Sequence, residues 1–250
     1  MHEKAFYVRE GGRFVPTGLG TSPWNDNAQT GVSIAGLCGH LFETVASRSP
    51  MFTARLTIDI LGAVPMEPLA WSVHQARDGR NFQVLQLDLS SSGRTWVRAS
   101  ALRVRERQSP EHSSPLERPR PEDQQAQAKS HRDWMEIVHL EKSQNCEGRG
   151  ASWVRFMIDV VDGTPLSPLC AIAMAADFGS GTSPVVSKSD WTFANLDISV
   201  HLTRAPVGEW VLIDAITESA GNGAGLVSTR LGDLNGMVGM AHQTEFIQLR

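Results

Sequence analysis

Cysteine is scarce in this 250-residue chain. The three present, Cys38, Cys146 and Cys170, are far apart and odd in number. They match neither a disulfide framework nor a metal-binding spacing, and reduced thiols in a reducing compartment are the expectation. No run of about 18 apolar residues exists, the length a membrane-spanning helix needs. Met1-His2-Glu3-Lys4 has no apolar signal core behind it. An excess of basic charge is also missing. The net charge is −4 and the pI about 6.1, which argues against a nucleic-acid binder with a basic face. The histidines fall into no ligand spacing such as H-E-x-x-H. No metal, cofactor, nucleic-acid or membrane partner is expected, and a cytoplasmic protein is the default.

What is present is present twice. Leu56-Thr57-Ile58-Asp59-Ile60, followed by Val64-Pro65 and two strand-like runs to Arg105, returns as Leu196-Asp197-Ile198-Ser199-Val200, followed by Ala205-Pro206 and two more runs to Arg250. A period of about half the chain, in two copies, is a duplicated domain rather than a solenoid. In such a pair one copy can hold chemistry that the other lacks, so differences between the copies point to working residues.

Each copy reads as one helix and a run of strands. In the first, Ala5 to Val15 forms a hairpin around Gly11-Gly12. Val32 to Val45 then has helical spacing with apolar residues on most of its circumference, which predicts a helix buried on nearly all sides. Strands follow over Phe52–Leu61, Leu69–Gln75, Asn81–Leu89 and Thr95–Val104, with turn residues at Asp78-Gly79-Arg80 and Ser91-Ser92-Gly93. The second copy has a strand over Ser152–Asp159 and a helix over Ser167–Asp177 with Pro168 in its first turn. Its further strands are Phe193–Leu202, Glu209–Thr217, Gly223–Thr229 and Gly236–Leu249. Between the copies, residues 107–130 carry four prolines, many charges and almost nothing apolar, the composition of a flexible linker. A buried helix followed by an antiparallel meander, with no βαβ alternation, is an α+β pattern. The expectation is a double hotdog, two tandem antiparallel sheets each wrapped around a long central helix. The first hotdog spans 1–106, the linker 107–130 and the second hotdog 131–250.

Several segments resemble the TesB-like acyl-CoA thioesterases, in the family's order. They are Arg13-Phe14-Val15-Pro16-Thr17 with Trp24, Ala151-Ser152-Trp153-Val154-Arg155, Ala175-Ala176-Asp177-Phe178, Asn195-Leu196-Asp197 through His201-Leu202-Thr203-Arg204-Ala205-Pro206, and Gly239-Met240-Ala241-His242-Gln243. The resemblance implies hydrolysis of an acyl-CoA or carrier-bound acyl thioester to free acid and thiol. It also implies assembly into homo-oligomers. It makes Asp177, Asn195 and Gln243 a catalytic trio that activates water, and Arg204 and Arg230 candidate partners for the CoA phosphates. Where the family's best-known pattern has threonine, this chain has Asn195.

The residues carry readings of their own. Asp177 ends an otherwise apolar helix, where an acid opposes the helix dipole and must find water or a partner. Gln243 interrupts an apolar strand, and the repeat sets Ser100 opposite it. Asn195 is matched by Arg55 in the first copy. Strict alternation places Asn195 with Asp197 and Ser199, away from the core face of Leu196, Ile198 and Val200. A rival centre is His40, three residues before Glu43 on one helical face. That pair suits a hydratase or dehydratase acting on acyl thioesters. A non-catalytic acyl-thioester binder is the remaining alternative. Ser33 in Gly31-Val32-Ser33-Ile34-Ala35 lacks the strand–turn–helix context of a nucleophile elbow. Gly221-Asn222-Gly223 lies between strands and reads as a hairpin turn rather than a phosphate loop.

Overall fold

The computed structural model describes residues 4–112, 115, 118–141 and 146–250. Met1 to Glu3 of the N-terminal segment, and 113–114 and 116–117 of the expected linker, lie outside the described residues. Contacts divide the chain into two compact units. One comprises Met1–Ser109 and Ile158–Met174, the other Pro110–Met157 and Ala175–Arg250.

The first unit begins with strands β1 (Ala5–Glu10) and β2 (Arg13–Pro16), an antiparallel hairpin. Gly11 and Gly12 supply the turn's positive φ. Helix α1 (Gly31–Glu43) follows, with ten of its thirteen residues buried, which is why its apolar residues run round the circumference. Ser33 donates its hydroxyl to the Thr30 carbonyl and serves the helix start. Strands β3 (Met51–Ile60), β4 (Ala70–Asp78), β5 (Phe82–Ser91) and β6 (Arg94–Arg105) form an antiparallel sheet in the order β4-β5-β6-β3. Its inward residues, among them Leu56, Ile58, Leu85, Leu87, Val97 and Ala99, are buried with Ile34, Leu37 and Leu41 of α1.

Residues 158–174 belong to this unit although they follow the second unit's first strands. Strand β10 (Asp159–Val161) pairs parallel with β1. Helix α2 (Pro168–Asp177) brings its first seven residues against α1. Glycine makes the approach possible: a Cβ at Gly36 would sit 3.0 Å from Val160 and 3.1 Å from Met174, and one at Gly39 3.4 Å from Cys170. Ser167 caps α2 by accepting from the Cys170 amide at 3.1 Å, and it donates to the Glu43 carboxylate at 2.6 Å. An acid at a helix N-terminus is favoured by the dipole.

The second unit contains β7 (Ala128–Arg132), β8 (Met135–Glu141), β9 (Arg149–Phe156), α3 (Gly179–Thr182), β11 (Trp191–Asn195), β12 (Asp197–Leu202), β13 (Trp210–Ser219), β14 (Ala224–Asp233) and β15 (Gly236–Leu249). Its sheet runs β12-β15-β14-β13-β9-β8-β7, with β11 also on β15. The order β13-β14-β15-β12 repeats β4-β5-β6-β3 strand for strand, which is the duplication in structural form. Three strands, β7 to β9, extend the second sheet. Part of residues 107–130 is ordered against it: two short 3-10 turns meet at a kink at Gln124 within Pro121–Gln127, the Pro119 carbonyl accepts from the buried Trp153 indole at 2.8 Å, and Arg118 pairs with Asp214 at 2.8 Å. Gly221 and Gly223 have positive φ in the turn between β13 and β14, as the hairpin reading requires. No helix is long and apolar enough to cross a membrane among the described residues.

Candidate active site

Asp177 closes α2, and the carbonyls of a last helical turn have no partner within the helix. Two side-chain amides supply one. The Asp177 carbonyl accepts from Asn195 Nδ2 at 3.1 Å and from Gln243 Nε2 at 3.2 Å. Asn195 Nδ2 also donates to the carboxylate oxygen Oδ1 at 2.9 Å. These donors offset the unfavourable placing of an acid at the negative end of a helix. The three residues that the resemblance groups therefore meet around one helix end.

A bulge puts Asn195 there. Asn195 stands opposite Glu245 and Ser199 opposite His242, so four residue steps on β11–β12 face three on β15. The extra residue reverses the phase of the strand. Before it, Phe193 and Asn195 face inward; after it, Ile198 and Val200 do. Leu196, read from alternation as core, is 46% exposed. The gap in the ladder is closed by Leu196 N donating to Thr244 O at 2.8 Å and Thr244 N donating to Asp197 Oδ1 at 2.7 Å.

The inner wall is rich in polar groups that lack partners. Asn195 Oδ1, Gln243 Oε1 and Thr229 Oγ1 are buried without a hydrogen bond. Most buried polar atoms are paired, so three in one place need a reason. Two of them converge on Gly179: a Cβ there would lie 2.4 Å from Thr229 Oγ1 and 2.6 Å from Gln243 Oε1, so only glycine fits. Glu245, two residues beyond Gln243 on the same face, is 3% exposed, and burial pushes its carboxyl up to about 7. Beside Asp177, Phe178 packs on Phe156 at 6.1 Å between ring centroids, and Phe156 stacks on Trp134 at 6.4 Å. Phe178, Phe156 and Trp134 thus form an aromatic wall that begins at the residue after Asp177.

Sequence reasoning gave no role in the site to Thr229 or Glu245, and read Gly179 only as part of the Gly179-Ser180-Gly181 helix end. Thr229 and Glu245 lie in the polar runs Ser228-Thr229-Arg230 and His242-Gln243-Thr244-Glu245, where alternation carries no signal.

The two arginines do not join this cluster. Arg204 is bound to Asp233 through Nη1 at 2.5 Å and Nη2 at 2.7 Å, and Asp233 also accepts from the Val207 and Asn235 amides. Burial alone would raise the Asp233 carboxyl, but these hydrogen bonds outweigh it and hold it low. Arg204 thereby ties the β12–β13 connection to the β14–β15 turn. Arg230 is exposed and, one residue from the inward Thr229, faces outward opposite Asp214.

In the first unit, His40 is half-buried with its ring edge against Phe14 at 6.1 Å, and burial, with Arg9, lowers its pKa. The Glu43 carboxylate is engaged by Ser167 and lies 3.8 Å from the Cys170 thiol. Ring and carboxylate therefore serve different contacts.

Residues 110–247 match the acyl-CoA thioesterase C-terminal domain and residues 21–104 the acyl-CoA thioesterase N-terminal domain. No curated protein matches the chain. Among solved structures, acyl-CoA thioesterase II TesB2 from Mycobacterium marinum shares the fold at a TM-score of 0.71 and 19% identity, over 89% of this chain and 90% of its own. The tesB protein of Mycobacterium avium subspecies paratuberculosis gives 0.71 and 18%, over 96% and 95%. A conserved protein with a hot dog fold from Alicyclobacillus acidocaldarius gives 0.77 and 14%, over 96% and 94%. The class is therefore the hotdog type, strand-rich with few helices. The chain belongs to the acyl-CoA thioesterase family, and its reaction is thioester hydrolysis.

Proposed function

We propose that the protein is a double hotdog, with hotdogs over 1–106 and 131–250 and a linker over 107–130, that hydrolyses acyl-CoA thioesters at Asp177, Asn195 and Gln243. The repeated strand order supports the double fold. The observation that carries the site is the convergence of both amides on Asp177 while their oxygens stay buried and unbonded.

Asn195 fixes the Asp177 carboxylate, because its Nδ2 donates to both the side chain and the main chain of that residue. A water beside Asp177 gives one hydrogen to the carboxylate and the other to an amide oxygen of the pair. Its oxygen attacks the thioester carbonyl carbon as Asp177 takes the proton. Gln243 Nε2 keeps a second hydrogen beyond the one given to Asp177, and this hydrogen steadies the developing oxyanion. The C–S bond then breaks, the proton passes from Asp177 to the leaving sulfur, and free acid and thiol depart. No covalent acyl-enzyme forms. The aromatic wall of Phe178, Phe156 and Trp134 suits an apolar acyl group. Arg204 and Arg230, outside this cluster, remain the proposed partners for the CoA phosphates.

The test is release of free thiol from a panel of acyl-CoAs of rising chain length, for wild type and Asp177→Ala. Loss of the general base is expected to slow turnover by about 10²–10⁴-fold with the circular dichroism spectrum unchanged. Wild-type turnover in the mutant would sink this site. Thermal stabilisation by acyl-CoA without turnover in either protein would mark a binder, and loss of activity in His40→Ala instead would move the chemistry to the first unit.

A further inference from the structure

Thr229 is 0% exposed, yet its hydroxyl has no hydrogen-bond partner. Leaving a buried hydroxyl unpaired is costly, and packing alone does not call for it. Valine has the same shape, and Val227, two residues earlier on the same face, shows that an apolar β-branched side chain fits this wall. Two other buried hydroxyls near Gly179, those of Ser183 and Thr217, are satisfied. Ser183 Oγ lies 2.7 Å from Thr217 Oγ1 and donates to Gly179 O at 3.0 Å.

Position explains the exception. Thr229 stands opposite Ala241 and Val227 opposite Gln243, which makes Thr229 the diagonal same-face neighbour of Gln243. Thr229 Oγ1 and Gln243 Oε1 lie 2.4 and 2.6 Å from one point, the Cβ position that Gly179 leaves empty. Gln243 points its nitrogen at Asp177 O, so its oxygen is turned toward the threonine. A hydroxyl can donate to that oxygen; a methyl cannot.

We propose that Thr229 is a positioning residue for hydrolysis: as the site closes on substrate, its hydroxyl donates to Gln243 Oε1. That bond holds the amide in the orientation that aims Nε2 at Asp177 and at the thioester carbonyl. The inference rests on the Asp177 reading of the site and adds a residue that acts through Gln243.

The experiment measures steady-state hydrolysis of an acyl-CoA turned over by wild type, with melting temperatures, for Thr229→Val, Thr229→Ser, Gln243→Ala, Thr229→Val/Gln243→Ala and Asp177→Ala. Thr229→Val is expected to lower kcat about tenfold, about 1.4 kcal/mol, with KM within about twofold and the melting temperature equal or higher. Thr229→Ser should recover most of the loss. In the Gln243→Ala background Thr229→Val should add nothing, since the two act as one unit. Wild-type kcat in Thr229→Val, or a loss that adds in full to that of Gln243→Ala, overturns the proposal. So does a loss that tracks a fall in melting temperature and is not rescued by serine. An inactive Asp177→Ala beside a fully active Thr229→Val defeats this inference alone. An active Asp177→Ala defeats the site and this inference with it.

Discussion

Glu245 shows at the scale of a single residue what burial does to chemistry. Its carboxyl lies over Gly225, where a Cβ would come within 2.7 Å of Oε2. The charged groups facing it are few. Asp177 is reached through Asn195; β11 carries no charge, and Gly225, Leu226 and Val227 of β14 carry none. Burial, with no opposing charge, raises the carboxyl from 4.5 to about 7. The sign follows. Between about pH 4.5 and 7 the folded chain keeps a proton that the unfolded chain has released, so stability falls as pH rises through this window. Above it the folded state carries the full penalty, about 3 kcal/mol as an upper figure. Glu245→Gln removes the ionisation and keeps the shape. Its gain in melting temperature over wild type should be near zero at pH 4.5 and reach its full value at pH 8. Thermal melts across that range check this, and a gain independent of pH would refute it.

At the scale of elements, the bulge between β11 and β12 does most to build the site. The alternation Leu196, Ile198, Val200 reads as one core face, and the meander strands were legible from such patterns. The one-residue insertion was not, because a change of phase leaves the residue types as they are. Asn195 therefore looks misplaced in sequence and faces inward in the structure. Helices α1 and α2 were legible for the opposite reason: α1 is apolar all round, and α2 ends in a lone acid; α3 was not, because Gly179-Ser180-Gly181 reads as a helix end. Strands β7 and β8 were missed because they follow and overlap a stretch rich in proline and charge. Asp197 holds the bulge through Thr244 N. Asp197→Ala should cost about 1 kcal/mol, a fall of about 2–4 °C in melting temperature, and lower kcat by loosening Asn195. Asp197→Asn keeps an acceptor and should restore most of both. Paired melting and hydrolysis measurements decide it, and Asp197→Ala with unchanged kcat would separate the bulge from the chemistry.

At the scale of the whole molecule, sequence order and contact order differ. By sequence α2 belongs to the second copy, yet Ile158–Met174 belongs by contact to the first unit. There Val160, Val161, Leu169, Cys170, Ile172, Ala173 and Met174 are buried. Strand β10 pairs with β1, and Gly36 and Gly39 of α1 receive Met174 and Cys170 at close range. A chain cut at the end of the first meander therefore separates one helix from its packing partner. A fragment of residues 110–250 would expose those seven apolar side chains, of which Val160, Val161, Leu169, Ile172 and Met174 are each worth up to about 1.5–3 kcal/mol when buried. That exceeds the whole stability of many domains. It would also release the helix whose last residue is Asp177. The fragment is expected to lack a cooperative thermal transition and all hydrolytic activity, whereas co-expression with residues 1–109 should restore both. Calorimetry and thiol release on the fragment alone and on the co-expressed pair test this. A sharp melt with wild-type turnover from 110–250 alone would show that the second unit keeps its site without the first.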